Sequence, residues 1–404
     1  MSEADDRREP YELDTLLGHS GGDPRARDGA VNPPVYRAST FLFPTVAEWD
    51  ASRDPRRRFD MIRYGQLATP TTLALEEAIA TLEGGYRAML LPSGLAAVTV
   101  AFQALVAAGD HVLVTDAVYP PTRHFCDKFL ARFGVTVTYF DPRIGREITS
   151  LLRPNTRLVF LESPDSMSIE VQDVPAVARA AHAADVKVLL DNSWGTPYLF
   201  PAFEHGVDVS ILAATKYIGG HSDVMLGTIT TTQALYDRVR STVAELGFCV
   251  SSDDAFLALR GLRTLAVRLE RHERNTRYVT EWLASRPEVE RIAYPALPND
   301  PGHAVWRRDF RGASGLFGLV LPPMAKKAAD AFLDALRLLG KGASFGGFES
   351  LAVPLEPARH RSVTQWPHRG PYIRVHVGLE DPRDLVADLE RGFECMYRVL
   401  ERGS

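Results

Sequence analysis

Two reactive side chains stand at the ends of apolar runs. Asp191 closes VKVLLD, and Lys216 follows DVSILAA by two residues. In open α/β sheets small-molecule sites lie outside the carboxyl ends of the strands, so this carboxylate and this amine would emerge at one sheet edge from separate strands. A lysine that forms a Schiff base, with a carboxylate that keeps a pyridine nitrogen protonated, is the pair that pyridoxal phosphate (PLP) chemistry requires. Taken singly, each residue has an ordinary reading: Asp191 as a turn or helix-cap residue, Lys216 as a surface amine. Candidates for the amine are few. Only Lys128, Lys187, Lys216, Lys326, Lys327 and Lys341 are lysines among 46 basic residues, and arginine, always protonated, cannot replace them.

Other residues fit the same site. Ser93-Gly94 lies between an apolar run and a helical stretch starting near Leu95, a turn whose N–H groups and helix dipole suit an anion. Thr215 offers a hydroxyl to the same anion. Tyr119 suits stacking on a flat ring, although Tyr-Pro-Pro equally describes a rigid turn. Arg374, inside the apolar run YIRVHVG, needs a partner, either a substrate carboxylate that matches its bidentate fork or an internal acid. His221 reads as a structural histidine and RHER at 271–274 as a solvated helix face. No Walker A pattern, no GxGxxG after a strand and no HExxH occurs, so ATP, NAD and a metal site lack support.

These residues need strands and helices to position them. Apolar runs at 88–91, 111–115, 135–140, 158–162, 186–191, 209–213 and 226–231 alternate with helical segments such as 73–83. Several runs are continuous rather than alternating, as in strands covered on both faces. The pattern predicts an α/β fold with a large, mostly parallel sheet domain over 63–262. A long helical stretch, 252–285, leads into a smaller C-terminal α+β unit, so that 263–404 holds the long helix and the second domain. Its strands are expected near 316–321 and 372–377, its helices near 325–339 and 384–400. Residues 1–62 are irregular, with Pro33-Pro34 and RDPRRR at 53–58, and suggest an arm across a neighbouring subunit.

With 404 residues, 45% hydrophobic and 24% charged, the chain has globular composition. A net charge of -5 leaves no basic excess for nucleic acid. The uncharged stretch between Arg87 and Asp110 is broken by Pro92-Ser93-Gly94 and reads as a buried strand-turn-helix, not a membrane span. The first ten residues are charged and lack the apolar core of a secretory signal. Cys126, Cys249 and Cys395 are odd in number and form no CxxC, which fits thiols in the cytoplasm.

Together, RYGQLATPTTLALEEAIATLEGG, LLPSGLAAV, FLESPDS, LLDNSW, AATKYIGGHSDVMLG, LRGLRTLAVRL and IRVHVGLED resemble the Cys/Met-metabolism family of PLP enzymes, and within it the bacterial cystathionine β-lyases. The resemblance runs from about Tyr36 to the end. It implies PLP fold type I, a homotetramer built from dimers, and active sites shared across the dimer interface. It implies that Lys216 is the Schiff-base lysine and proton shuttle, Asp191 the pyridinium partner and Tyr119 the stacking residue. Ser93, Gly94, Leu95 and Thr215 would hold phosphate, Tyr64 would reach in from the neighbouring subunit, and Arg374 with Ser344 would clamp the substrate α-carboxylate. The implied reaction expels a thiol from the β-carbon and ends in pyruvate and ammonia.

Three departures cluster at this site. The family has Tyr-x-Arg where the chain reads Tyr64-Gly65-Gln66, which exchanges a charged phosphate contact for a neutral one. The β-lyases have an aromatic-Ser-Trp-Gly-Gly stretch where the chain reads Ala343-Ser344-Phe345-Gly346-Gly347, and the glutamate that marks γ-lyases is absent at Ala343. The expected function is a carbon–sulfur β-lyase on cystathionine-like thioether amino acids. The alternatives are an elimination followed by replacement on a bulkier sulfur amino acid such as S-adenosylmethionine, and a PLP-binding regulator without turnover. The intact Lys216, Asp191 and Arg374 set argues against the regulator.

Overall fold

The computed structural model describes residues 11–54, 59 and 61–403; the first ten residues and most of the 53–58 cluster lie outside them. Seven strands form the large sheet: β1 (Arg87–Leu91), β2 (His111–Thr115), β3 (Thr136–Phe140), β4 (Thr156–Glu162), β5 (Lys187–Asp191), β6 (Val209–Leu212) and β7 (Gly227–Thr231). Their order is β1-β7-β6-β5-β4-β2-β3. β2 to β6 pair in parallel, while β7 runs antiparallel to both β1 and β6. The sheet is therefore mostly parallel, as expected, and its carboxyl edge gathers the ends of β4, β5 and β6.

Local chemistry sets the elements that matter for the site. The helix Pro70–Glu83 begins with a reciprocal Thr69–Thr72 capping box and stops at Gly84 in the left-handed conformation. The uncharged segment after Arg87 becomes β1, the Ser93 cap, and the helix Gly94–Leu105, whose inner face is buried. Hydrophobic side chains pack on both faces of the large sheet, which is why several of its strands read as continuous apolar runs.

The smaller sheet, β10-β11-β9-β8, is antiparallel: β8 (Arg291–Ala293), β9 (Leu316–Val320), β10 (Leu351–Leu355) and β11 (Tyr372–His376). The helices Lys326–Ala335 and Pro382–Gly403 pack on each other beside it. The strands expected at 316–321 and 372–377 are β9 and β11. β8 and β10 were not expected, because one has three residues and the other is an edge strand containing Pro354. The 252–285 stretch is two helices, Ser252–Leu262 and Leu265–Ala284, separated at Arg263-Thr264.

Two other expectations need correction. Residues 1–62 are not uniformly irregular: they contain the helices Leu13–Gly18 and Val46–Ser52, and Leu17 joins the core. RHER is not a solvated face throughout. His272 is fully buried, its Nδ1 2.8 Å from the Val377 carbonyl oxygen, and Glu273 accepts from the Ala313 N–H at 2.9 Å. The docking of helix Leu265–Ala284 against the chain after β11 inverts what the charged pattern suggests.

Glu83 is buried at the end of its helix, and one carboxyl oxygen accepts from Ser210 on β6 at 2.9 Å. Burial pushes this carboxyl up to about 8, with the Ser210 bond opposing. The unfolded chain ionises near 4.5 while the folded one holds its proton, so Glu83 costs nothing below that pH and progressively more as pH rises to about 8. Glu83→Gln should flatten this dependence and stabilise the fold by about 1–3 kcal/mol above pH 8. Urea unfolding at pH 5 and pH 9 tests it, and an equal effect at both would contradict the assignment.

Candidate active site

Four chain segments converge at the carboxyl edge of the large sheet. β5 ends at Asp191, and the chain after β6 turns through Ala213–Leu226 before β7 returns antiparallel. Lys216 lies in that turn, with its N–H on the Ala213 carbonyl at 2.9 Å and Thr215 N–H on the Leu226 carbonyl at 3.0 Å. The turn packs tightly against the start of the helix Gly94–Leu105. A Cβ on Gly94 would lie 2.7 Å from the Ala213 Cβ, and one on Gly227 would collide with the Ser93 carbonyl. From the second domain, the 343–347 loop presses on Lys216: a Cβ on Gly346 would come within 2.7 Å of the Tyr217 nitrogen.

Lys216 Nζ donates to Ser344 Oγ at 2.8 Å and lies 5.1 Å from the centre of the Phe345 ring. Lys187, Lys326 and Lys341 make ion pairs with aspartates. Lys216 makes none among the described residues. Burial, then the positive charge of Arg374, pushes its amine down to about 8, with Asp191 opposing. Asp191 accepts from the Ser193 N–H at 3.0 Å; burial pushes its carboxyl up, with Ser193 and Lys216 opposing.

Arg374 is 8% exposed on β11, and its guanidinium donates to the Ser166 carbonyl at 3.3 Å and the Ser344 carbonyl at 3.2 Å. Of the two readings of this arginine, an internal ion pair is not observed among the described residues. A buried guanidinium held by carbonyl oxygens alone retains its demand for an anion. Tyr119 caps the short helix Pro120–His124, and its ring is 40% exposed, so the rigid turn and the presented ring are one feature. Burial and the charge of Glu162 push its phenol up, with Arg374 opposing. Phe345 is buried against Tyr217, and Ala343 is exposed.

The first N–H groups of a helix have no partner within it, so those of Gly94 and Leu95 are available to an anion. Ser93 Oγ instead caps the helix by accepting from Ala96 N–H at 3.1 Å. Thr215 Oγ1 is engaged with the backbone of Leu226, accepting from its N–H at 2.9 Å and donating to its carbonyl at 3.2 Å. His221 Nδ1 lies 2.8 Å from the Gly219 carbonyl, the structural contact expected of it. Tyr64 and Gln66 do not join this cluster within the chain. Tyr64 is 50% exposed, and Gln66 donates to the Ala244 carbonyl at 3.3 Å. Among the described residues no hydrogen bond or ring contact links either one to Lys216.

Glu162 was missed. It ends the apolar run LVFLE, the same signal that singled out Asp191, and it sits beside Asp191 in parallel register. It accepts from the Tyr119 N–H at 2.7 Å and from the Ser166 N–H and hydroxyl at 2.8 and 2.7 Å. Burial first, then Asp191 and Asp165, pushes this carboxyl up, with the Ser166 bonds opposing.

The site thus offers N–H donors for a phosphate, an amine of lowered basicity, a carboxylate with no ion pair among the described residues, an exposed ring and a buried guanidinium. This donor set fits PLP and an amino-acid carboxylate. Known proteins agree with it. A Rhizobium johnstonii protein is 48% identical over 403 residues, covering 99% of this chain and 100% of its own. The cystathionine beta-lyase of Escherichia coli K12 is 43% identical, covering 94% of this chain and 98% of its own. The crystal structure of metB from Corynebacterium glutamicum superposes with a TM-score of 0.87 at 31% identity, covering 95% of this chain and 98% of that one. Residues 14–394 match the description "Cys/Met metabolism PLP-dependent enzyme", and the chain belongs to that family.

Proposed function

We propose that the chain is a PLP-dependent carbon–sulfur β-lyase that splits cystathionine-like thioether amino acids into a thiol, pyruvate and ammonia. The observation that carries this reading is the gathering of Lys216, Asp191 and the anion-seeking Arg374 within electrostatic reach of one another. Bound PLP supplies an electron sink for the charge left at the substrate α-carbon. Lys216 carries the cofactor and moves the α-proton, which its lowered basicity favours. Asp191 keeps the ring nitrogen protonated, Tyr119 stacks on the ring, and Gly94 and Leu95 bind phosphate through their N–H groups. Thr215 reaches the phosphate only by leaving Leu226. Arg374 and Ser344 orient the α-carboxylate so that the Cα–H faces Lys216, and Phe345 closes the pocket.

In this reading 1–62 is an arm, 63–262 the cofactor domain and 263–404 the long helix with the C-terminal domain. Tyr64 and Gln66 serve the site of a neighbouring copy in a cytoplasmic homotetramer. The exposed Tyr64, with Leu42 91% exposed in the arm, supports that assembly. So do three free cysteines for the compartment. No helix among the described residues is long and apolar enough to cross a membrane. One observation favours a second reading, replacement on a bulkier sulfur amino acid such as S-adenosylmethionine: Ala343, next to Ser344, is exposed and carries only a methyl group.

Three outcomes are expected. Pyruvate should form from cystathionine in an assay panel that includes S-adenosylmethionine; turnover of the sulfonium substrate alone, without pyruvate, would support replacement instead. PLP uptake by the apoprotein needs the neutral amine, so its rate should rise with pH through about 8; a midpoint near 10.5 would mean that Lys216 is unperturbed. Gln66→Arg should tighten PLP binding by about tenfold through a charged phosphate contact, measured by titration of apoprotein, and unchanged affinity would show that another group fills that role.

A further inference from the structure

One buried carboxylate, Glu162, is bonded to or beside three of the site's groups. Its Oε2 accepts from the Tyr119 main-chain N–H at 2.7 Å, and its Oε1 accepts from both donors of Ser166. The Ser166 carbonyl in turn accepts from Arg374 Nη1 at 3.3 Å. On the sheet, Glu162 lies opposite Asp191 in register, so the two carboxylates rise on the same face of neighbouring parallel strands. Gln172 pins its backbone, with Nε2 donating to the Glu162 carbonyl at 2.5 Å and its N–H donating to Ser163 Oγ at 2.9 Å.

Among the described residues Glu162 makes no ion pair. Its polar atoms are satisfied by donors that belong to the site or lead to it. A buried acid is costly, so its presence here calls for donors that other residue types would leave unsatisfied. Here both oxygens face fixed donors, which only a group with two acceptor oxygens can satisfy. A glutamine would turn its NH2 toward Tyr119 N–H or toward Ser166, whichever way the amide sits.

We propose that Glu162 is a positioning residue that sets the spacing across the site between the ring-stacking Tyr119 and the carboxylate-binding Arg374. The first link is direct, through the start of the helix Pro120–His124; the second passes through Ser166. This inference rests on the proposed roles of Tyr119 and Arg374. It predicts an effect on both cofactor and substrate from one side chain that touches neither.

The test uses the full-length enzyme with Glu162→Gln and Ser166→Ala. In E162Q, PLP binding to apoprotein should weaken by about tenfold, the circular dichroism of bound PLP should change, and kcat/KM for cystathionine should fall by roughly 10- to 100-fold. S166A retains the main-chain donor and the Tyr119 bond. It should raise KM about threefold with kcat and PLP affinity unchanged, a split that general loosening of the fold would not produce. An E162Q enzyme within twofold of wild type in PLP affinity, dichroism and kcat/KM overturns the proposal. If E162Q does not fold, an unchanged KM in S166A overturns it. Wild-type protein that turns over no thioether would sink the lyase reading, whereas the PLP titration and dichroism would still decide the role of Glu162.

Discussion

The buried guanidinium of Arg374 constrains the rest of the site. A charge on a strand of the small sheet is costly to bury, and here carbonyl oxygens of Ser166 and Ser344 carry it, one from the large domain and one from the 343–347 loop. These contacts tie the two domains together at the pocket. Among the described residues the arginine makes no ion pair, although the nearby Glu162 carboxyl acts on it electrostatically.

That positive charge shapes the chemistry of its neighbours. It joins burial in lowering the basicity of Lys216, while Asp191 pulls the other way. A lowered basicity raises the neutral fraction of the amine, which suits the nucleophile and proton carrier proposed for Lys216. Two carboxyl groups, Asp191 and Glu162, end adjacent strands, and their mutual repulsion adds to burial in raising Glu162. Their environments separate them. Ser193 serves Asp191 at the floor of the site, while Tyr119 and Ser166 hold Glu162 behind it.

Much of this was legible in the chain. All seven strands of the large sheet coincide with runs visible in the sequence; those buried on both faces are mostly apolar, whereas the edge strand β3 is partly exposed and alternates with threonine. Asp191 and Lys216 stood out because reactive residues at strand ends share one sheet edge. Glu162 ended a run in the same way, yet its importance depends on bonds to Tyr119 and Ser166 that no local pattern encodes. The short β8 and the Pro-containing edge strand β10 carry too little periodicity to be read. His272 looked solvated amid arginines and glutamates, yet the rings of Tyr217 and His376 and the Val377 carbonyl bury it.

The sequence by itself indicated the α/β class and, through the motifs it shares with the Cys/Met-metabolism family, the cofactor, while six lysines and a strand-end rule singled out Lys216. Tertiary structure alone decided the fate of Arg374. An arginine in an apolar strand fits an internal ion pair as well as a substrate clamp, and only the fold shows that its hydrogen bonds among the described residues go to the Ser166 and Ser344 carbonyls. It also decided that Ser93 and Thr215 are engaged with the backbone and that Gln66 faces Ala244 rather than Lys216. The physical reason is common to all of these. Residue type fixes which bonds a side chain can make, but the fold decides which of them form, with partners as near as Ala96 for Ser93 and as far as Ala244 for Gln66.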